Sequence, residues 1–220
     1  MIAALMGFGP VPPTPKVAPA AGPAVIVFAR HGETVANATG RYNSRTLNTF
    51  SETGKAQVAR LTTWLRQQPK FDAILVSPSD RALNSVRPYL LGTRQTARVW
   101  PEWYECCTGR NKSTAGKGNV RWGGKITLGS PFVVERGHDR YPVSPKFVDG
   151  LVQVRMGVDR LAALRTLPRV LIVGHSGAGG VMMEMLEGAS PRGRKHPENA
   201  TPYQLNRQAD GTYRSQRIRI

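Results

Sequence analysis

The chain has 220 residues, of which 40% are hydrophobic, so it is long and apolar enough to bury the core of one domain. No apolar run approaches the roughly 20 residues that cross a bilayer, so we expect no transmembrane helix. Thirty-one lysines and arginines against 14 acidic residues give a formal net charge of +17. This excess favours anionic partners: phosphorylated small molecules, nucleic acid, anionic membrane surfaces or polyphosphate.

The two cysteines, Cys106 and Cys107, are adjacent in sequence. A bridge between neighbours is strained, so we expect two free thiols and no disulfide framework. Residues 1–23 form a Pro/Ala-rich arm with a single charge, Lys16, and we interpret it as a signal remnant with a linker or as an unstructured arm. Free thiols favour the cytoplasm and a signal remnant favours the periplasm or secretion, so the localisation stays open.

From residue 24 onward, strand and helix patterns alternate, and residues 24–220 are expected to form one domain. The elements predicted for the first half are a strand at 24–29, a polar loop at 30–50, a helix from Ser51 to Gln67 with Ser51 as its N-cap, and a strand at 71–76. Residues 77–80, including Ser77 and Ser79, are interpreted as the turn and cap of a further helix with a kink at Pro88, and a strand follows at 97–100.

The second half begins with a basic insertion at about 106–147, which carries eight lysines and arginines against two acids and is expected to contain a short hairpin. It is followed by a predicted helix at 148–164, a buried strand at 169–174 with a further helix, and a hairpin at 203–205 and 212–218. Repeated strand–helix units predict an α/β fold: a mostly parallel central sheet with helices on both faces and a C-terminal edge hairpin.

Charged and imidazole side chains follow the predicted strands at the point where each strand ends. These residues are Arg30, His31, Arg81, Glu105 and His175. Loops after parallel strands emerge at one edge of the sheet, so we expect these side chains to converge there. Two arginines and two histidines make a cationic pocket that suits a phosphoryl group, and a desolvated Glu105 could donate a proton to the leaving oxygen.

The ordered motifs resemble those of the histidine phosphatase superfamily, which has the phosphoglycerate-mutase-like fold. The matching residues are Arg30-His31-Gly32-Glu33-Thr34, Asn37, Gly40-Arg41, Ser51 to Gly54, Gln57, Ser77-Pro78, Arg81-Ala82 and Val173 to Gly177. The resemblance extends from about Val25 to the C-terminal hairpin, and the basic insertion matches poorly.

The resemblance implies that His31 attacks the phosphoryl group and becomes phosphohistidine. It further implies that the substrate is held by Arg30, Asn37, Arg81, His175 and Ser176. Glu105 would be the proton donor, with Glu102 as a rival and Asp80 as a weaker one. No metal-ligand spacing such as His-x-x-x-His or Cys-x-x-Cys occurs, so we expect catalysis without a metal ion and without a cofactor.

Three functions fit these observations. The first is hydrolysis of a phosphomonoester with a small phosphorylated molecule as substrate, and the second is a phosphoglycerate-type mutase. The third is a non-catalytic protein that binds polyanions, which the net charge and the basic insertion motivate. The sequence makes no prediction of the oligomeric state.

Overall fold

The structure, a computed structural model, describes residues 22–107, 116, 118–144 and 146–220. The predicted Pro/Ala-rich arm lies outside the described residues except for its last two positions. Residues 108–115, which belong to the predicted basic insertion, also lie outside them. Within the part of the chain that the structure describes, no helix is long and apolar enough to span a membrane.

The core of the fold is a seven-stranded sheet with the order β5-β3-β2-β7-β1-β8-β9. The strands in the described residues are β1 Val25–Arg30, β2 Ala73–Val76, β3 Ala97–Val99, β4 Arg121–Lys125, β5 Phe132–Val134, β6 Arg140–Val143, β7 Arg169–Gly174, β8 Pro202–Arg207 and β9 Tyr213–Arg217. The pairs from β5 to β1 are parallel, while β8 and β9 are antiparallel. The mostly parallel sheet with a C-terminal edge hairpin is therefore confirmed.

Helices cover both faces of this sheet. They are α1 Val35–Thr39, α2 Ser44–Asn48, α3 Glu52–Gln67, α4 Asp80–Thr93, α5 Phe147–Leu161 and α6 Ser176–Leu186, with 3₁₀ turns at Pro101–Trp103 and Ala162–Leu164. Alternation along β1 sends Ile26 and Phe28 into the core on one side of the sheet and Val27 and Ala29 into the core on the other. A strand buried on both faces reads as a continuous apolar run, which is how this one was recognised.

The prediction of an unbroken polar loop at 30–50 is wrong, because α1 and α2 lie within it. Each helix has only five residues and begins with a capping box, formed by Thr34 with Asn37 and by Asn43 with Thr46. Helices of little more than one turn bury too few side chains to produce a hydrophobic period. Their capping residues were the available signal.

One further expectation is corrected in detail. In the described part of the insertion, the antiparallel pair is not a hairpin of neighbouring segments: β4 pairs with β6, while β5 between them joins the main sheet beside β3. The Arg-Trp-Gly-Gly-Lys sequence of β4 is largely exposed and shows no alternation that could have revealed its partner. Pro88 lies inside α4, which continues past it to Thr93, and the kink expected at this proline stays a prediction.

Glu184 on α6 organises the loop that leads into β8. Its carboxylate accepts hydrogen bonds from the backbone N–H groups of four consecutive residues, 192–195, and the residue is only 4% exposed. Burial alone raises the pKa of Glu184, but the four N–H donors outweigh it and lower the pKa overall. The charged form is thus favoured by folding.

We expect Glu184→Gln to destabilise the protein by about 1–3 kcal/mol, because a neutral amide cannot satisfy four buried donors. The contribution of Glu184 is present above its ordinary pKa of 4.5 and is lost as the pH falls through the lower pKa of the folded state. Urea unfolding at pH 7 and at pH 3 measures both effects. The control is Glu52→Gln, an exposed partner of Lys55, for which we expect a change below about 0.5 kcal/mol. Equal losses in the two variants would contradict this account.

Candidate active site

Three neighbouring parallel strands bring distant residues together at one edge of the sheet. His31 follows β1, His175 follows β7, and Arg81 lies in the first turn of α4 after β2. Because β7 lies between β1 and β2, the loops after these strands are adjacent in space. The imidazole rings of His31 and His175 are 5.2 Å apart between centroids and inclined by 63°. The convergence expected from the sequence is present in the structure.

The ring of His31 is buried and held by its own loop. Its Nδ1 lies 2.8 Å from the carbonyl oxygen of Gly32, which can only accept, so Nδ1 carries the proton and Nε2 keeps its lone pair. The N–H of Gly32 in turn donates to Ser85 Oγ. Burial, followed by the charge of Arg81, lowers the pKa of His31 to about 3, despite an opposing contribution from the Gly32 hydrogen bond. His31 is therefore neutral at physiological pH.

Two half-buried guanidinium groups flank this ring. Arg81 Nε donates to His31 Nε2 over 3.3 Å, and Arg30 Nη1 donates to the carbonyl oxygen of Pro197 over 3.2 Å. Arg30 Nε is buried without a hydrogen-bond partner in the described part of the chain. Burial lowers the pKa of both arginines, but guanidinium groups stay charged in proteins. The pocket thus holds two fixed positive charges beside two neutral imidazoles.

His175 is fully buried, and two serines fix its ring. Its Nε2 lies 2.8 Å from Ser77 Oγ and 3.1 Å from Ser79 Oγ. Its Nδ1 has no hydrogen-bond partner among the described residues and lies 4.0 Å from the carboxylate of Glu105. If the serine hydroxyls donate to Nε2, Nδ1 carries a proton that is free for a ligand. Burial, the charge of Arg81 and the nearby His31 all lower the pKa of His175.

Glu105 lies at the N-terminus of α6, two residues beyond the 3₁₀ turn that follows β3. Its Oε1 accepts from the backbone N–H groups of Gly177, Ala178 and Cys106 at 3.1, 3.3 and 3.2 Å. Burial raises the pKa of this carboxyl group, although the N–H donors and the two arginines oppose the rise. The second oxygen is left beside His175, so a protonated Glu105 could donate towards the pocket.

The sequence pattern of the histidine phosphatase superfamily (branch 1) matches residues 26–217, which is most of the chain. The protein belongs to this superfamily.

Individual members of the superfamily resemble the chain over different lengths. The adenosylcobalamin/alpha-ribazole phosphatases of Salmonella typhi and Salmonella typhimurium are 38% identical over 76 residues, which is 34% of this chain and 37% of each relative. The match thus spans little more than a third of the length of these curated relatives.

Solved structures of other superfamily members share the fold over nearly the whole chain. The alpha-ribazole phosphatase from Shigella flexneri has a TM-score of 0.63 at 19% identity, covering 86% of this chain and 94% of that protein. A mycobacterial glucosyl-3-phosphoglycerate phosphatase has a TM-score of 0.58 at 18% identity, covering 90% and 98%. At these identities the likeness establishes the fold, including the phosphoglycerate-mutase-like arrangement of its sheet.

Among the described residues, neither rival of Glu105 makes a hydrogen bond or an ion pair with His31 or His175. Glu102 is fully buried, but both its oxygens accept from Arg160 Nη1, at 2.7 and 2.8 Å, and Oε1 also contacts His138. Its charge is therefore used to anchor α5 against the 3₁₀ turn. Asp80 is exposed as the first residue of α4.

The other two residues predicted to bind substrate lie at helix starts. Asn37 is part of the capping box of α1, where its Oδ1 accepts from the N–H and the hydroxyl of Thr34. Ser176 is the first residue of α6, directly after His175, and is partly exposed. The structure places Ser176 beside the pocket, whereas the visible role of Asn37 is to shape the loop after β1.

Sequence reasoning missed several residues that support the histidines. Ser77 and Ser79 were interpreted as turn and cap residues, yet Ser79 makes no cap hydrogen bond because its hydroxyl contacts His175. Asn199 Nδ2 donates to the carbonyl oxygen of His31 over 2.9 Å from the loop before β8. The ring of Tyr104 lies 6.1 Å from that of His175. The sequence alone does not show whether the hydroxyl of an N-cap serine caps its helix or contacts another residue.

The two cysteines follow Glu105 and are free and buried, with their sulfurs 2.6 Å apart. The contact with Cys107 and then burial raise the pKa of the Cys106 thiol well above its ordinary value, which disfavours a thiolate nucleophile. Among the described residues, no group of three or more His, Cys, Asp or Glu side chains could hold a metal ion.

Proposed function

We propose that the protein hydrolyses phosphomonoesters in two steps, through a phosphohistidine on His31. The observation that carries this proposal is the environment of His31: a neutral ring whose unprotonated Nε2 accepts a hydrogen bond from Arg81, 5.2 Å from the ring of His175. A neutral imidazole is a nucleophile, and fixed cationic donors stabilise the charge on a transferring phosphoryl group.

In the first step, His31 Nε2 attacks phosphorus in line with the leaving oxygen. The bond from Nε2 to phosphorus forms while the ester P–O bond breaks, and Glu105 gives its proton to the leaving oxygen to yield an alcohol. The guanidinium groups of Arg30 and Arg81 and the Nδ1–H of His175 donate to the phosphoryl oxygens. Arg81 exchanges its contact with Nε2 for one with the substrate.

In the second step, water attacks the phosphorus of phosphohistidine. Glu105, now a carboxylate, accepts a proton from this water, and the P–N bond breaks to regenerate His31 and release phosphate. Charge stabilisation throughout comes from guanidinium groups, so the proposed reaction is metal-independent.

The substrate class follows from the charge of the pocket and from the relatives. The relatives named above are phosphatases of alpha-ribazole phosphate and of glucosyl-3-phosphoglycerate, and we propose a small phosphorylated molecule for this chain too. A panel of phosphorylated metabolites that includes alpha-ribazole 5′-phosphate, scored by phosphate release, tests this proposal. Turnover of at least one ester supports it.

The mutase alternative predicts a different product from the same pocket. Incubation with 3-phosphoglycerate and its bisphosphate primer separates the two activities, because a mutase returns the phosphoryl group to the substrate. We expect phosphate release to exceed isomerisation. Isomerisation faster than release would assign the mutase activity, and binding of polyanions without turnover of any ester would leave only the non-catalytic function.

A further inference from the structure

A cavity of about 620 Å³ lies at the same edge of the sheet as the two histidines. The register explains its position: β8 begins beside the end of β1, where Ala29 pairs with Pro202, and β9 ends there, where Tyr203 pairs with Arg217. The cavity is bounded by this corner of the hairpin, by α3 and by Arg30. Its volume is typical of small-molecule sites.

Four guanidinium groups line this cavity, those of Arg30, Arg60, Arg217 and Arg219, against one side-chain carboxylate, that of Glu198. Among the side chains the formal excess is three positive charges (four minus one), and the terminal carboxylate of Ile220, which also lines the cavity, lowers it to two. Arg217 pairs with Glu198 at 2.5 Å. In the described part of the chain, no ion pair or hydrogen bond engages Arg60 or Arg219. Arg60, Arg217 and Arg219 are exposed, so water and salt screen their mutual repulsion, but an anion placed between them would be attracted by several guanidinium groups at once.

We propose that this cavity is a second anion site that holds a phosphate or polyphosphate group, distinct from the phosphoryl pocket around His31. Guanidinium forks match phosphate oxygens in geometry as well as in charge. The proposal that an anion binds depends only on the residues that line the cavity, whereas any effect of this anion on catalysis rests on the proposed function.

The cavity and the pocket around His31 have residues in common, and through these residues we expect an anion in the cavity to influence the pocket. Arg30 lines the cavity and also lies beside His31 in the pocket, and its Nη1 donates to the carbonyl oxygen of Pro197. Asn199 lines the cavity from the same loop and donates to the carbonyl oxygen of His31. An anion in the cavity therefore contacts groups that position the proposed nucleophile. It could be a remote phosphate of the substrate or a separate polyphosphate, and both have the same chemistry.

The first experiment measures binding with inorganic tripolyphosphate as the probe, by calorimetry at about 0.15 M salt, where long-range attraction to the basic surface is screened. The double variant Arg60→Gln/Arg219→Gln removes the two unpaired cavity charges. Its matched control, Arg165→Gln/Arg214→Gln, removes the same charge at exposed positions outside the cavity. We expect the cavity variant to bind at least about tenfold more weakly than the control, at equal thermal stability. Equal affinities would overturn the proposal, because the binding would then reflect net charge.

The second experiment distinguishes the two sources of the anion. If it belongs to the substrate, KM for a sugar bisphosphate rises about tenfold in the cavity variant, while KM for a monophosphate aryl ester is unchanged. If it is separate, tripolyphosphate alters aryl phosphate turnover in the control variant and not in the cavity variant. A protein that hydrolyses no ester contradicts the proposed function, yet the calorimetric comparison still decides whether the cavity is an anion site.

Discussion

Replacement of His31 by alanine is expected to lower kcat/KM for any phosphate ester by at least ~10⁴-fold, because the variant lacks the atom that accepts the phosphoryl group. The neighbouring arginines remain, so the variant should still bind substrate with a similar affinity. Steady-state kinetics on an aryl phosphate and equilibrium binding of the same ester separate these two effects. A variant that binds and does not turn over would assign the chemistry to residue 31.

The matched control is His138→Ala. The His138 side chain is 38% exposed and contacts Glu102 on the far side of the 3₁₀ turn, so its loss should leave turnover within about twofold of the wild type. A covalent phosphoryl group on the peptide that contains His31, trapped by rapid quenching and located by mass spectrometry, is expected for the wild type and for this control. Phosphate release by His31→Ala at a rate near that of the control would exclude the phosphohistidine.

The low pKa of His31 supports the proposed role of this histidine as a nucleophile. An exposed imidazole is partly protonated near pH 6.5, whereas the buried ring beside Arg81 has a pKa of about 3. Burial, and after it the charges of Arg81 and Arg30 that would hold the phosphoryl group in the proposed reaction, therefore keep the ring unprotonated. We infer that the acid limb of the pH profile does not come from His31 at any pH above about 4.

Much of the fold was predictable because its strands are buried on both faces. The runs that became β1 and β7 are continuous and apolar, and their ends carry His31 and His175. Because parallel strands run in the same direction, their carboxyl ends, and with them both residues, lie at one edge of the sheet. The convergence of His31 and His175 could thus be deduced from local sequence patterns, because a parallel sheet places the ends of its strands at one edge.

What could not be predicted depends on contacts between residues that are distant in sequence and individually ordinary. The hydroxyls of Ser77 and Ser79 serve His175, and Asn199 serves His31 across more than 160 positions. The sequences of β4 and β6 show no hydrophobic pattern from which their pairing could be predicted. Such contacts follow from the assembled backbone, so no period or motif in the sequence specifies them.

The position of Glu105 connects the fold to the proposed proton transfer. One of its oxygens is fixed by three backbone N–H groups, while the other faces His175 at 4.0 Å. The hydrogen bonds orient the carboxyl group, and its burial raises the pKa. A group held in this way can keep a proton for the leaving oxygen in the first step and recover one from water in the second.

We therefore expect Glu105→Gln to lower kcat/KM by ~10²–10⁴-fold for alkyl phosphates and far less for a nitrophenyl phosphate, whose leaving group needs no proton. Glutamine preserves the acceptor for Gly177 and Ala178 and removes only the acid. In the wild type, activity on alkyl esters should fall as the pH rises through the raised pKa of Glu105, because the donor is then lost. The variant should lack this basic limb.

Glu102→Gln is the discriminating comparison for this prediction. Glu102 is the rival glutamate that the sequence offered for the acid role, but its side chain is paired with Arg160 in the core. Its replacement should lower the free energy of unfolding by about 1–3 kcal/mol, because Arg160 loses one charged partner but keeps its ion pair with Glu135, and it should affect good and poor leaving groups alike. A leaving-group dependence that appeared in Glu102→Gln and not in Glu105→Gln would transfer the acid role to Glu102. Since the fully buried Glu102 already accepts two hydrogen bonds from Arg160, such a result would require the 3₁₀ turn to rearrange when substrate binds.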